Sequence, residues 1–315
     1  MKERRHVILD HPILGYFLLL LYVSIVSELF NILDALICSK IPGLTAGTIT
    51  YGFFTPLGAV LAALLFTWWF RPDYKGCFSK DGILAGLLMI LPMLVLHYVG
   101  SIVSWITYGT ASVIIAMIRA LSPGFLEEIT FRGLGVANYM RTIKDENKIP
   151  VIFWLSAIVF GSAHLGNLLV GGDLFSVCVQ TVYAVGIGVA LGAVYLRTGN
   201  LVPCIIAHWS VDCMEFIRAD INASGGIMMY MGLGDWITVA AGVVGVVCGL
   251  RAMNKKYYPD IMRVWDDKWN RTQPVDDAAD AQPEVDAQLG VDAQPAADVQ
   301  PADDVQPGVD AADTK

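Results

Sequence analysis

Glu127 and Glu128 are adjacent carboxylates, with Arg132 one helical turn further on, in a stretch otherwise apolar enough to be a membrane span. Two other apolar stretches each carry one histidine: His164, in Phe160-Gly161-Ser162-Ala163-His164, and His208, followed by Asp212 four residues later. Ionisable side chains within a bilayer cost about 2.5 to 3.5 kcal/mol each on insertion scales, so they persist where they pair or line a polar cavity. A carboxylate and an imidazole in a pocket shielded from bulk water can take a proton from a water molecule and direct it at a carbonyl. The chemistry open to these residue types is hydrolysis inside a membrane.

Their spacing divides the work. Glu128 and Arg132 are four apart, share a helix face and can form an ion pair. Glu127 points about 100° away on a 3.6-residue turn, which leaves it the freer carboxylate. Ser122-Pro123-Gly124 just before them is expected to loosen the helix, because proline removes a hydrogen bond and glycine relaxes the next turn. Asp212 is placed to hold the orientation and tautomer of His208. His164 lies among Gly161, Ser162, Ala163 and Gly166, small residues that let helices approach and would bring it towards the carboxylates. His97, with no acidic neighbour at helical spacing, reads as a packing residue. A purely structural alternative makes Glu127, Glu128 and Arg132 a buried charge cluster that fixes helix packing.

The elements that must position these groups are membrane helices. Of the 315 residues, 55% are hydrophobic and only 16% charged, with a mean hydropathy of +0.56. A soluble domain carries charge at about a quarter of its positions. The expected fold is all-α, a polytopic membrane bundle of about eight transmembrane helices with a disordered acidic C-terminal tail. Spans are expected near 12–38, 46–70, 81–106, 111–140, 150–169, 174–197, 200–219 and 232–252, separated by polar or Gly/Pro-rich breaks such as Pro42-Gly43, Arg71-Pro72-Asp73 and Ser224-Gly225-Gly226. Domain boundaries follow: N-terminal spans over 1–110, a core over 111–252, a juxtamembrane segment over 253–272 and the tail over 273–315.

The net charge of −8 belongs to that tail: residues 273–315 hold eleven Asp and Glu against one lysine, which leaves +2 on residues 1–272. Its repeated Val, Asp, Ala, Gln and Pro residues cannot bury enough surface to offset ordering entropy. The membrane part shows no charge bias towards acidic or basic partners, and no nucleic acid partner is expected. Lys2, Arg4, Arg5, Arg71, Lys75, Arg141, Lys144, Arg197, Arg251 and Lys255 fall on one side of an eight-span arrangement, while Lys40 and Arg218 fall on the other. The positive-inside rule then puts both termini in the cytoplasm of a multi-pass protein integral to the cell membrane. No cleavable signal peptide is expected. Six scattered cysteines without a Cys-x-x-Cys pair indicate neither a disulfide framework nor a thiolate metal site.

Glu127-Glu128-Ile129-Thr130-Phe131-Arg132, Phe160 to His164, and His208 to Asp212, in that order on three apolar segments, resemble the CPBP family of intramembrane proteases. That family takes in type 2 CAAX prenyl endopeptidases, bacteriocin-processing proteins and lysostaphin-resistance-type proteins. The resemblance, over roughly 110–220, implies an intramembrane endopeptidase with catalytic Glu127, His164, His208 and Asp212. Glu127 and His164 would activate water, and His208 and position 212 would stabilise the oxyanion. Glu128 and Arg132 would support them; no metal or other cofactor is expected, because the sequence holds no His-Glu-x-x-His pair. The implied partners are a peptide or membrane-protein substrate and the lipid bilayer. Asp212 departs from the pattern, because the prenyl endopeptidases have asparagine there and an ionised aspartate has no donor to offer.

Other readings stay open. Glu127, His164 and His208 could instead be three zinc ligands with a fourth position for water, making a metalloprotease from the same residues. A non-catalytic membrane regulator or bacteriocin immunity protein would use the fold to bind others. A transporter would need a proton or cation site at Glu127 and Glu128, but no mirrored motif is found. Glu28 and Asp34 in the first span read as helix-end or packing groups.

Overall fold

The computed structural model describes residues 7–41, 49–70, 74–223 and 231–271, all within one compact unit, Met1–Gln273. Among these residues every regular element is helical, and one isolated bridge joins Thr110 and Arg218. The breaks at Pro42-Gly43, Arg71-Pro72-Asp73 and Ser224-Gly225-Gly226, and the tail from Gln273, lie outside the described residues.

The principal helices are α1 (Pro12–Cys38), α2 (Ile49–Phe70), α3 (Ile83–Met89), α4 (Leu91–Tyr108) and α5 (Val113–Glu127). A π-helical segment (Glu128–Val136) continues α5 into α6 (Ala137–Thr142). Then come α7 (Ile149–Ala163), a 3-10 segment (His164–Val170), α8 (Leu174–Thr198), α9 (Val202–Phe216), α10 (Leu233–Ala252) and α11 (Tyr258–Lys268). Pro12, Pro92, Pro150, Pro203 and Pro259 each sit in the first turn of a helix, where a missing N–H breaks no intrahelical bond. Ser112 caps α5 by accepting from Ile115 N, and Asp173 caps α8 by accepting from Ser176 N at 2.9 Å.

The expected eight hydrophobic segments are all helical, but five helices are long and apolar enough to cross a membrane, judged over the described residues. They are Pro12–Cys38, Leu91–Tyr108, Glu146–Val170, Leu174–Thr198 and Leu233–Ala252. The other three fall short for separate reasons. The second counts as a shorter apolar helix, Phe54–Trp68, over the residues whose side chains are described. The fourth carries the Glu-Glu-Arg cluster, and the seventh has just 15 residues in α9, with His208, Asp212 and Glu215 among them. The expected third span is interrupted at Ile90, between α3 and α4.

The centre of the bundle is α8, where Val189, Ala190, Leu191, Ala193, Val194 and Tyr195 are fully buried. It packs against α7 on one side and α10 on another, while α10 also packs on α4. A Cβ on Gly186 would lie 2.2 Å from the Gly242 carbonyl oxygen, so the α8–α10 contact admits nothing larger than glycine there. Helices in lipid gain most of their attraction from such close backbone approach. Large apolar side chains point outwards, among them Leu21, Leu64, Ile106, Leu169 and Val182, as expected of a surface solvated by acyl chains. The juxtamembrane segment docks as α11: Trp265 Nε1 donates to Leu196 O and Trp269 Nε1 to Ala137 O, each at 3.0 Å.

Candidate active site

Helix α5 delivers the carboxylates. Helix α5 continues through Pro123, which has no N–H to give the ladder, and the ladder widens from Glu128 to Val136 as a π segment, a form common at functional sites. Gly124 has a different use. A Cβ at that position would lie 3.0 Å from Trp209 Cβ and 3.2 Å from Trp209 N, so its missing side chain lets α5 and α9 touch. Trp209 Nε1 locks the contact by donating to Met117 O at 2.9 Å.

That approach sets Glu128 against His208. Glu128 and Arg132 are fully buried, and Arg132 Nη1 donates to Glu128 Oε1 at 2.7 Å. The same Oε1 lies 2.8 Å from His208 Nδ1. A carboxylate oxygen accepts, so Nδ1 carries the proton. The guanidinium also stacks over the Phe160 ring, 4.2 Å from its centroid, with Nη2 turned to the Gly188 carbonyl.

His208 Nε2 faces the other way, 3.9 Å from Glu127 Oε2 and 3.5 Å from Asp212 Oδ2. The expectation that Asp212 holds the tautomer of His208 is therefore corrected. Glu128, from another helix, holds Nδ1, and Asp212 stands beside Nε2 with Glu127. Sequence spacing led to Asp212 because only neighbours along the same helix are visible to it.

His164 occupies the junction between α7 and the 3-10 segment, half-buried. Its Nδ1 lies 3.3 Å from Phe160 O, and donation to that carbonyl leaves Nε2 able to accept a proton. The Phe160 ring lies against both histidines, with centroids 5.6 Å from His164 and 5.5 Å from His208. No hydrogen bond or ion pair joins His164 to a carboxylate among the described residues. Of the small residues beside it, Gly161 seats α7 on α8, where a Cβ would meet Val185 N at 2.8 Å, while Ser162 and Ala163 line the same cavity as Glu127.

Glu127 lines a cavity of about 570 Å³ with Leu126, Thr130, Phe131 and Ser162. The opposite wall comes from α1 and includes Ser24, Ser27, Glu28 and Asn31. Glu28 is thus a cavity residue, contrary to its expected packing or helix-end role. Its signal in the sequence was the polar spacing 24, 27, 28, 31 on an otherwise apolar helix. His97 is buried and hydrogen-bonded, as expected of a packing residue, and packing also brings it an acidic neighbour from α9. Its Nε2 lies 3.4 Å from Glu215 Oε1 and 3.3 Å from Val211 O, both on α9, and Ser101 Oγ donates to the same carboxylate at 2.9 Å. Arg218, expected as a loop charge, is buried against Asp235 and Asp220.

Among the described residues, no group of three His, Cys, Asp or Glu side chains stands in a geometry that could hold a metal ion. Glu127, His164 and His208 are not gathered as a set of three ligands in this arrangement.

The family model described as Type II CAAX prenyl endopeptidase Rce1-like matches residues 109–214. This stretch is Rce1-like. It covers about a third of the chain and supports the CPBP resemblance, a family of proteases. The Rce1-like stretch runs from just before α5 to near the end of α9 and contains Glu127, Glu128, Arg132, His164, His208 and Asp212. No curated protein and no solved structure matches the chain.

Proposed function

We propose that the protein is an intramembrane endopeptidase that hydrolyses a peptide bond in a membrane-associated or lipidated peptide. The observation that carries this reading is the division of two adjacent carboxylates. Glu128 is locked between Arg132 and His208, whereas Glu127 faces a cavity large enough for a peptide segment and its water.

Glu127 takes a proton from water held in the cavity, and the hydroxide adds to the scissile carbonyl carbon. His164 assists through Nε2, the nitrogen not committed to Phe160 O. The oxyanion is received near His208 Nε2. Because the Nδ1 proton is committed to Glu128, Nε2 can donate only when the ring carries both protons. Arg132 holds Glu128 in place, so it acts through His208. When the tetrahedral carbon collapses, the C–N bond breaks and Glu127 returns its proton to the leaving amine. Base and oxyanion donor together supply the main accelerations open to a metal-free hydrolase, each about 10²-fold or more. In the same reading both termini face the cytoplasm, from the lysine and arginine distribution.

The test profiles peptide termini in membranes of cells expressing the protein or its Glu127→Gln variant. New carboxyl termini confined to the wild type are expected. Identical profiles would favour the non-catalytic regulator. Cleavage abolished by chelation and restored by zinc would favour the metalloprotease.

A further inference from the structure

Helix α1 is apolar along most of its length, yet Ser24, Ser27, Glu28 and Asn31 recur at i, i+3, i+4 and i+7 and so share one face. A helix facing lipid gains nothing from such a stripe. All four residues line the cavity that Glu127 lines from the other side.

The stripe is organised rather than loose. Thr55 of α2, itself buried, donates through Oγ1 to Asn31 Oδ1 at 2.8 Å. Asn31 Nδ2 in turn donates to Glu28 Oε2 at 3.2 Å. With its carbonyl committed to Thr55, the amide of Asn31 is fixed with its N–H towards Glu28, which aims the carboxylate. Beside it, Ser27 is 4% exposed, and its hydroxyl oxygen has no hydrogen-bond partner among the described residues. A buried hydroxyl left unpaired costs about 1 to 3 kcal/mol, so its place on a cavity wall points to a ligand. No lysine, arginine or histidine stands within ion-pair distance of Glu28 among the described residues. The cavity therefore presents two carboxylates, Glu28 and Glu127, with the unpaired Ser27 hydroxyl buried in its wall, and none of its lining residues among those described is basic.

We infer that this face of α1 receives a cationic side chain, lysine or arginine, of the peptide being cleaved. Glu28 is its counter-charge and Ser27 a second acceptor. The word peptide rests on the endopeptidase reading; the cationic preference rests on the cavity wall. Asn31 and Thr55 are positioning residues that hold Glu28. An apolar side chain in this place would leave Glu28 without a counter-charge and Ser27 unpaired, whereas an ammonium or guanidinium group answers both. An acidic side chain would meet like charge from Glu28 and Glu127.

The experiment measures binding without turnover. Fluorescent nine-residue alanine–leucine peptides, acetylated and amidated at their ends, carry lysine, arginine, norleucine or glutamate at the centre. Their affinities for the detergent-solubilised full-length protein are read by anisotropy. Lysine and arginine peptides should bind about tenfold tighter than norleucine, with glutamate weakest. Glu28→Gln should remove the preference, Glu28→Asp should keep part of it, and Ser27→Ala should weaken it severalfold. Equal binding of the four peptides, binding of none, or a preference that survives Glu28→Gln in protein with unchanged thermal unfolding would overturn the inference. Cation-selective binding without any cleavage would uphold the cavity assignment and count against the endopeptidase. Cleavage without selectivity would do the reverse.

Discussion

Glu128 Oε1 lies 2.8 Å from His208 Nδ1, a contact between helices 80 residues apart in the chain. The same oxygen accepts from Arg132, so one buried atom ties the charge pair of the π segment to the imidazole of α9. Every other distance around Nε2 depends on this hinge.

Breaking that hinge should cost stability before it costs chemistry. Arg132→Leu or Glu128→Gln leaves a fully buried partner charge uncompensated, a loss of about 3 to 5 kcal/mol. Both variants should show reduced abundance and lower thermal unfolding temperatures. Glu127 is 28% exposed to the cavity side, and Glu127→Gln should keep normal abundance while losing cleavage. If Glu127→Gln proved the most destabilised of the three, the assigned roles would be exchanged.

Asp212 offers a sharper test, because it stands 3.5 Å from Nε2 rather than at Nδ1. Asp212→Asn supplies a permanent N–H donor there while Glu128 still holds the ring. Peptide cleavage should persist or rise, since one oxyanion donor is worth about 10²- to 10³-fold in rate. Loss of activity in the asparagine variant, with kcat falling at constant KM, would show that the carboxylate itself is needed.

Gly124 controls how closely the two helices meet. Gly124→Ala places a methyl group 3.0 Å from Trp209 Cβ and 3.2 Å from Trp209 backbone atoms, so α5 and α9 must part by a few tenths of an ångström. Active-site misplacement on the scale of 1 Å can cost about 100-fold in rate. The alanine variant should lose activity out of proportion to its stability, and Gly124→Leu should be inactive. Unchanged kcat in Gly124→Ala would separate this contact from the site.

Topology is tested by reporter fusions. A reporter after Gln273 and one between Gly225 and Gly226 should report opposite sides of the membrane, as an eight-crossing arrangement with cytoplasmic termini requires. The same side for both would remove that arrangement.

The sequence alone determined that the chain is helical and membrane-embedded, because apolar run length and charge scarcity act locally and survive without a fold. It also singled out Glu127, Glu128, Arg132, His164, His208 and Asp212, since charges in apolar runs are conspicuous wherever they end up. It placed the Glu128–Arg132 pair, because residues four apart on a helix meet whatever surrounds them. Contacts between helices were beyond it. That Glu128 rather than Asp212 holds His208, that His97 meets Glu215, and that Glu28 shares a cavity with Glu127 were decided only by tertiary packing. Gly124 and Gly161 show the reason. Both are small residues in apolar helices, yet one admits Trp209 beside the carboxylates and the other seats α7 on α8. Which partner a glycine admits depends on the neighbouring helix, and helical periodicity carries no record of that neighbour.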